Sequence, residues 1–529
     1  MHTAASDAIA RARKTKKPTV LVVDKRVRRF GHAATDRQSA YLTDSEIELA
    51  ESSYGNMLNV AEACVTHAGM TTAEVEARFV ELQRVAEEAF ATAAQEPGGD
   101  SKGRKGLAAT NSAAFRGVDY GEGQGLVLKL PLHPADLGAS HAARIADDKD
   151  KECFGRRDVM RKHMTKGIAD ELEARPELIY IGEDVEHGGY YVVTEGLRER
   201  FGPSRVRDFP PDETTLVGAG IGFSQCGLLP VVEIPYAKYL DCGFDMFNEA
   251  VMANWLTDGK QPNGMVIRLQ GFDRGVFGGN FHTSNMLPIP PGLDVLCFSN
   301  GYDWVRGFRM ALDMAKAGRV VMLVDSTALL ARRHLVDGDK DGAMLTPFPI
   351  AGKTEAGFHD VSLYCEDNGA FADARATTEE ASSTKKSGKA AASKKATKRS
   401  KARVLIVAYG NGVPLALESV ATMRADPDAR VSKAEYAVVD VPCLSEVPDG
   451  LRQLLDTHAA THVVFADVCK EGPGMPLGAH AVTLHEEGAL DHTLRWSTVG
   501  AARTYNPLGS LETFLSIDDI HAAVRRAVL

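Results

Sequence analysis

The eight cysteines (64, 153, 226, 242, 297, 365, 443 and 469) include no Cys-x-x-Cys pair. Scattered thiols of this kind argue against a zinc site or a disulfide framework and fit a reducing compartment. No apolar run approaches the length of a membrane span, and no secretory signal is recognisable. An excess of positive charge is also lacking. The net charge of -10 argues against a nucleic-acid protein, although it allows a local basic patch. These absences point to a soluble intracellular protein without a membrane partner.

At 529 residues the chain is too long for one hydrophobic core, so three or so folding units are expected. Residues 1–17 carry alanine and arginine with Asp7 as the only acid, which superficially suits a mitochondrial transit peptide. They also read as a helix running into a strand, Thr19 to Val23, and that reading is preferred. Thr43 and Glu46 have capping-box spacing, and Thr71 and Glu74 start a helix that continues through Phe79, Leu82, Val85 and Phe90. Residues 98–154 show little periodicity and read as a linker.

From about residue 155 to 335, strands alternate with helical segments. The strands are expected at 178–181, 206–209, 231–234, 265–269, 295–298 and 320–324. Continuous β-branched runs separated by helices imply a parallel sheet covered on both faces. Residues 403–529 repeat the pattern with strands at 404–407, 437–440 and 463–465. Between the two lies a connection, 336–402, with a lysine-rich insertion (374–402) that lacks the apolar side chains a core requires. It reads as a disordered insertion or, alternatively, as a nucleic-acid or targeting patch.

Chemistry concentrates in three segments that follow expected strands. Asp212-Glu213 opens a helix rich in small residues, Glu233 to Tyr239 carries an aromatic, and Gly278 to Asn285 carries His282. An acid, an aromatic and a histidine on successive βα loops make a plausible cofactor site. Each has a bland counterpart. An acid suits the first turn of any helix, and Tyr239 could be a core tyrosine.

The ordered series Tyr-Ile-Gly-Glu183-Asp-Val, Gly188 to Leu197, the Glu213 segment, Glu-Ile-Pro-Tyr-Ala-Lys-Tyr239, Phe-Asp-Met-Phe-Asn-Glu249 and Phe-His282-Thr-Ser closely resembles one family. That family is the β subunit of the thiamine-diphosphate-dependent decarboxylating component of 2-oxo-acid dehydrogenase complexes. The branched-chain member looks nearest, with the pyruvate type also possible. The resemblance implies an α/β fold in which residues 155–335 are a transketolase-like pyrimidine-binding domain. Residues 403–529 would be a transketolase C-terminal-like domain. Residues 1–97 are similar to the C-terminal end of the α subunit, so the chain resembles a truncated α–β fusion.

The resemblance also implies roles. Glu213 would hydrogen-bond the cofactor's aminopyrimidine ring and help activate it, and Tyr239 would stack on that ring. His282 would line the reacting centre, although Thr283-Ser284 departs from the family's pattern. Glu183 matches an acid near the cofactor, with a structural loop acid as the alternative. His32 resembles the α-subunit histidine that reaches the diphosphate, and Ala33 replaces a hydroxyl residue that some relatives phosphorylate. The implied activity is decarboxylation of a 2-oxo acid with acyl transfer to the lipoyl domain of a dihydrolipoyl acyltransferase. It would take place in a dimer or α2β2-like assembly, in the mitochondrial matrix of a eukaryote or the cytoplasm of a bacterium.

The family's metal–diphosphate signature, Gly-Asp-Gly followed some 25 to 30 residues later by Asn-Asn, is missing from the sequence. Magnesium would therefore arrive through an α-type subunit or upstream domain. A partner-dependent or non-catalytic β-like protein, or a binding protein tethered by its lysine-rich insertion, are the competing expectations.

Overall fold

The computed structural model describes residues 2–17, 19–22, 42–95, 127–131, 157–189, 191–257, 260–261, 263–272, 287, 289–352, 355–365, 401–490, 492–505 and 511–529. The chain divides into two compact units, 1–109 and 110–529.

Among its described residues the first unit is helical: α1 (His2–Thr15), α2 (Asp44–Tyr54), α3 (Asn56–Ala68) and α4 (Thr72–Gln95). Both expected helix starts form reciprocal caps. The Thr43 amide donates to Glu46 at 2.8 Å and the Glu46 amide donates to Thr43 Oγ1 at 3.3 Å, with the same pairing between Thr71 and Glu74. The strand expected at 19–23 is not found over its described part. Residues 19–22 form no strand, and Val20 and Val22 are 85% and 77% exposed. β-Branched residues favour a strand only where a neighbouring strand and a buried face receive them. The loop carrying His32 lies outside the described residues.

The second unit contains two six-stranded sheets. The first has the order β3-β2-β4-β5-β7-β6. Its members are β2 (Leu178–Gly182), β3 (Val206–Asp208), β4 (Leu229–Ile234), β5 (Met265–Gly271), β6 (Asp294–Leu296) and β7 (Val320–Ser326), all paired in parallel. Alternate side chains enter two different cores, as the strand period of two requires. Tyr180, Val231, Val266 and Leu323 pack with α5 (Met160–Ala174) and α8 (Gly301–Lys316). Ile181, Val232, Ile267 and Val324 pack on the other face with α6 (Glu213–Gln225) and α7 (Phe244–Leu256). Each such fully buried aliphatic or aromatic side chain contributes roughly 1.5–3 kcal/mol. Gly220 lets α6 lie flat on the sheet, since a Cβ there would come within 2.7 Å of Val232 Cγ2.

The second sheet has the order β1-β8-β10-β9-β11-β12. It comprises β1 (Val127–Pro131), β8 (Val361–Cys365), β9 (Arg403–Ala408), β10 (Glu435–Asp440), β11 (His462–Lys470) and β12 (Arg495–Ala501). Only the β8–β10 pair is antiparallel. Helices α9 (Gly412–Arg424), α10 (Asp449–Thr457), α11 (Pro476–Glu486) and α12 (Ile517–Val528) belong to this half. The expectations at 404–407, 437–440 and 463–465 correspond to β9, β10 and β11, while β1, β8 and β12 had no counterpart in the sequence reading. The sheets share a core, and the segment after β10 is stitched to β6. Cys297 N donates to Pro442 O and Leu444 N donates to Val295 O, both at 2.9 Å.

Among the described residues no helix is long and apolar enough to cross a membrane. Most of the lysine-rich insertion lies outside the described residues.

Candidate functional site

Strands β3, β2 and β4 are neighbours and run in the same direction, so the segments leaving their C-terminal ends lie side by side. Open parallel sheets bind ligands at this edge. The segment after β2 begins with Glu183. The segment after β3 leads through Asp212 to Glu213, and that after β4 leads through Tyr236 to Tyr239.

Glu213 is the first residue of α6 and is half-buried. Asp212 caps the helix, its carboxylate accepting from Thr215 N at 3.2 Å and from Thr215 Oγ1 at 2.8 Å. Those two hydrogen bonds hold the Asp212 carboxyl below the ordinary aspartate range. The cap leaves Glu213 in the first turn, where the helix dipole favours a negative charge. The 3₁₀ turn Ala237–Gly243 abuts this helix start. Thr214 Oγ1 donates to Cys242 O at 3.0 Å, and a Cβ on Gly243 would lie 2.8 Å from the Glu213 carbonyl carbon. The same turn carries Tyr239, whose half-buried ring meets Tyr236 edge-on at 5.5 Å between centroids. Tyr236 in turn meets Tyr191 at 6.4 Å, an edge-to-face geometry typical of aromatic pairs.

Beneath this edge is a network that sequence reasoning did not single out. Arg268, on β5, is fully buried and lies between Glu233 of β4 and Asp325 of β7. Its NH1 donates to Glu233 Oε2 at 2.5 Å, and its Nε donates to Asp325 Oδ2 at 2.7 Å. Tyr180 donates to Glu233 Oε2, Gln270 Nε2 to Glu233 Oε1 at 2.7 Å, and Trp304 Nε1 to Asp325 Oδ1 at 2.8 Å. Burial works against the guanidinium charge, but Asp325 and Glu233 outweigh it and hold Arg268 well above its ordinary pKa. Burial also raises Asp325, with Arg268 opposing, and raises Tyr180 strongly. The network reaches the loop after β2 through Gly189 (φ 71°), where a Cβ would sit 3.3 Å from Glu233 Oε1. Its sequence signal was available. Glu233, Arg268 and Asp325 are charges inside otherwise apolar, β-branched runs, and such charges are buried only when paired.

The structure therefore places Glu213 and Tyr239 on abutting segments and Glu183 on the neighbouring loop. His282 and His32 lie outside the described residues. Among the described residues no group of three or more His, Cys, Asp or Glu side chains could hold a metal ion. Asp467, on β11, is a structural acid. It is fully buried, with its pKa raised by that burial, and accepts from Tyr409 Oη at 2.6 Å and from Leu477 N, at the start of α11, at 2.8 Å.

Comparison with known proteins bears on the part of the chain that contains this edge. Residues 159–330 match the family described as transketolase, pyrimidine binding domain. The 2-oxoisovalerate dehydrogenase subunit beta of Pseudomonas aeruginosa is 34% identical over 137 residues, covering 25% of this chain and 39% of that protein. The mitochondrial pyruvate dehydrogenase E1 component subunit beta-2 of Oryza sativa subsp. japonica is 32% identical over 158 residues, covering 30% and 40%. The acetoin:2,6-dichlorophenolindophenol oxidoreductase subunit beta of Cupriavidus necator is 31% identical over 155 residues, covering 26% and 45%. The chain thus spans about two fifths of the length of the curated relatives it matches. A solved chain described as split gene transketolase, inactive beta4 tetramer, aligns over 70% of this chain and 98% of its own at 16% identity and a TM-score of 0.48. Residues 159–330 are therefore similar to the transketolase pyrimidine-binding domain, and over part of its length the chain is similar to β subunits of 2-oxoisovalerate and pyruvate dehydrogenases.

Proposed function

We propose that this chain supplies the pyrimidine-binding half of a thiamine-diphosphate enzyme that decarboxylates a 2-oxo acid and passes the acyl group to lipoamide. An α-type subunit or domain would supply the other half. The observation that carries this reading is the abutment of the Glu213 helix start and the Tyr239 turn, through Gly243, at the C-terminal edge of a parallel sheet.

The fit to the cofactor is to one half only. A carboxylate in a first helical turn, a half-buried aromatic, and a backbone held close by a glycine suit a flat, nitrogen-bearing ring. The diphosphate half finds no Gly-Asp-Gly and Asn-Asn pair in the sequence. When bound, the cofactor supplies the carbanion-stabilising group that decarboxylation of a 2-oxo acid requires. Glu213 would hold a proton at the pyrimidine ring nitrogen, and Tyr239 would fix the ring's orientation at small entropic cost. Glu183 would border the ring from the loop after β2. His282 is assigned a proton-transfer role near neutral pH, and His32 a contact with the diphosphate. The branched-chain and pyruvate-type relatives support 2-oxo acids as the substrate class.

The test is co-expression with an α-type subunit bearing the diphosphate motif. Thiamine diphosphate binding and release of carbon dioxide from pyruvate and 3-methyl-2-oxobutanoate would then be followed. Binding is expected only in the assembly, and Glu213→Gln should lower turnover by about 10²-fold or more, as loss of a general acid–base group does. Unchanged turnover in that variant would sink the assignment.

A further inference from the structure

A cavity of about 480 Å³ lies between the 444–447 loop, the 473–476 turn and α11. Leu287, Ile289, Val447 and Met475 give it apolar walls. His480 of α11 lines it, is only 3% exposed, and makes no well-formed hydrogen bond from either ring nitrogen, the Leu444 backbone offering only a poorly aligned one. A buried polar group left in this state costs roughly 1–3 kcal/mol, so it marks a place where a partner is due. Burial pushes His480 down to about 4, with the Leu444 carbonyl opposing and Arg452 adding to the effect. The ring is therefore neutral near pH 7, with one nitrogen able to donate and the other to accept.

The charged groups of the rim are already engaged. Arg452 donates to Glu487 at 2.9 and 3.0 Å, to Val447 O at 2.6 Å and to Asp449 at 3.1 Å. Glu446 lies 3.6 Å from His359 and leaves a carboxylate at the mouth that would repel an anion. A neutral donor–acceptor between apolar walls, with no cation to spare, selects against phosphates and carboxylates.

We propose that this cavity binds a small uncharged amphipathic molecule. Its apolar body would lie against Leu287, Ile289, Val447 and Met475, and a single hydroxyl or carboxamide would hydrogen-bond His480. Nothing in this assignment depends on the proposed decarboxylation.

The test uses the full chain and isobutyramide as probe, followed by ligand-observed NMR. Saturable binding is expected. His480→Phe should weaken it about tenfold or more, the loss of one well-made buried hydrogen bond. His480→Gln, which keeps a donor and an acceptor, should retain most of it. Ala479→Trp, which narrows the mouth and leaves the imidazole, should abolish it. Absence of saturable binding by the natural chain would overturn the proposal, as would equal binding by a folded His480→Phe. Should His480→Phe fail to fold, Ala479→Trp decides, and undiminished binding there would overturn it equally.

Discussion

Gly243 and Glu213, thirty residues apart in sequence, are in backbone contact: a Cβ on Gly243 would lie 2.8 Å from the Glu213 carbonyl carbon and 3.1 Å from its Cβ. The contact fixes the aromatic turn against the acidic helix start, so the two proposed ring-binding side chains share one rigid junction. Gly243→Ala must push them apart. The expected cost is about 1–3 kcal/mol, as for other insertions of a methyl group into packed backbone. Urea denaturation of the full chain measures it. An unchanged midpoint would show that the junction yields without strain.

The Arg268 network makes a second, larger prediction. Replacing the guanidinium with Met leaves Glu233 and Asp325 buried without their shared cation, while volume is nearly conserved. Removing one partner of a buried ion pair costs about 3–5 kcal/mol. Arg268→Lys should recover only part of this, because an ammonium cannot reproduce the planar fork that reaches both carboxylates. Thermal and urea unfolding of both variants would check the ranking. If Arg268→Met were as stable as the natural chain, the network would not be holding the edge of the sheet.

The difference in legibility between these two features is physical. Strands β2, β4, β5 and β7 stood out in the sequence because burial on both faces demands unbroken β-branched runs. The caps at Thr43–Glu46 and Thr71–Glu74 were legible because each is closed within four residues. β1 and β8 were not, since Val127-Leu-Lys-Leu-Pro and Val361-Ser-Leu-Tyr-Cys are short and find each other only across 234 residues, Val127 opposite Val361. The strand expected at 19–23 is absent from its described part, 19–22, for the converse reason, a local propensity that finds no pairing strand among the described residues. Glu213 could be read from its place at a helix start. The pairing of Arg268 with Glu233 and Asp325, 35 and 57 residues away, is a property of strand order that one strand's sequence does not contain.

Asp467 ties the end of β11 to the start of α11. Its two oxygens accept from three donors, Tyr409 Oη, Cys469 N and Leu477 N. Asp467→Asn keeps the size but turns one acceptor into a donor facing a donor. The expected destabilisation is about 1–3 kcal/mol, the cost of a buried group left unsatisfied. The local signature should be faster amide exchange at Leu477. Protection there equal to the natural chain's would show that the carboxylate does not hold the helix start.

His480 makes the stability of the second unit depend on pH in a defined window. Burial pushes its pKa down to about 4, whereas an unperturbed histidine in the unfolded chain titrates near about 6.5. Between those values the unfolded chain binds a proton that the folded chain refuses, so acidification favours unfolding. The contribution is whole above about pH 6.5 and is lost progressively as the pH falls through the folded value, a swing of about 3 kcal/mol at most. Gln at this position cannot titrate. Stability measured by urea unfolding at about pH 7 and about pH 4.5 should therefore fall less in His480→Gln than in the natural chain, whatever the absolute stability of the variant. Equal losses in the two proteins would mean that the folded ring takes up its proton as readily as the unfolded one, so that burial does not hold it neutral at acid pH.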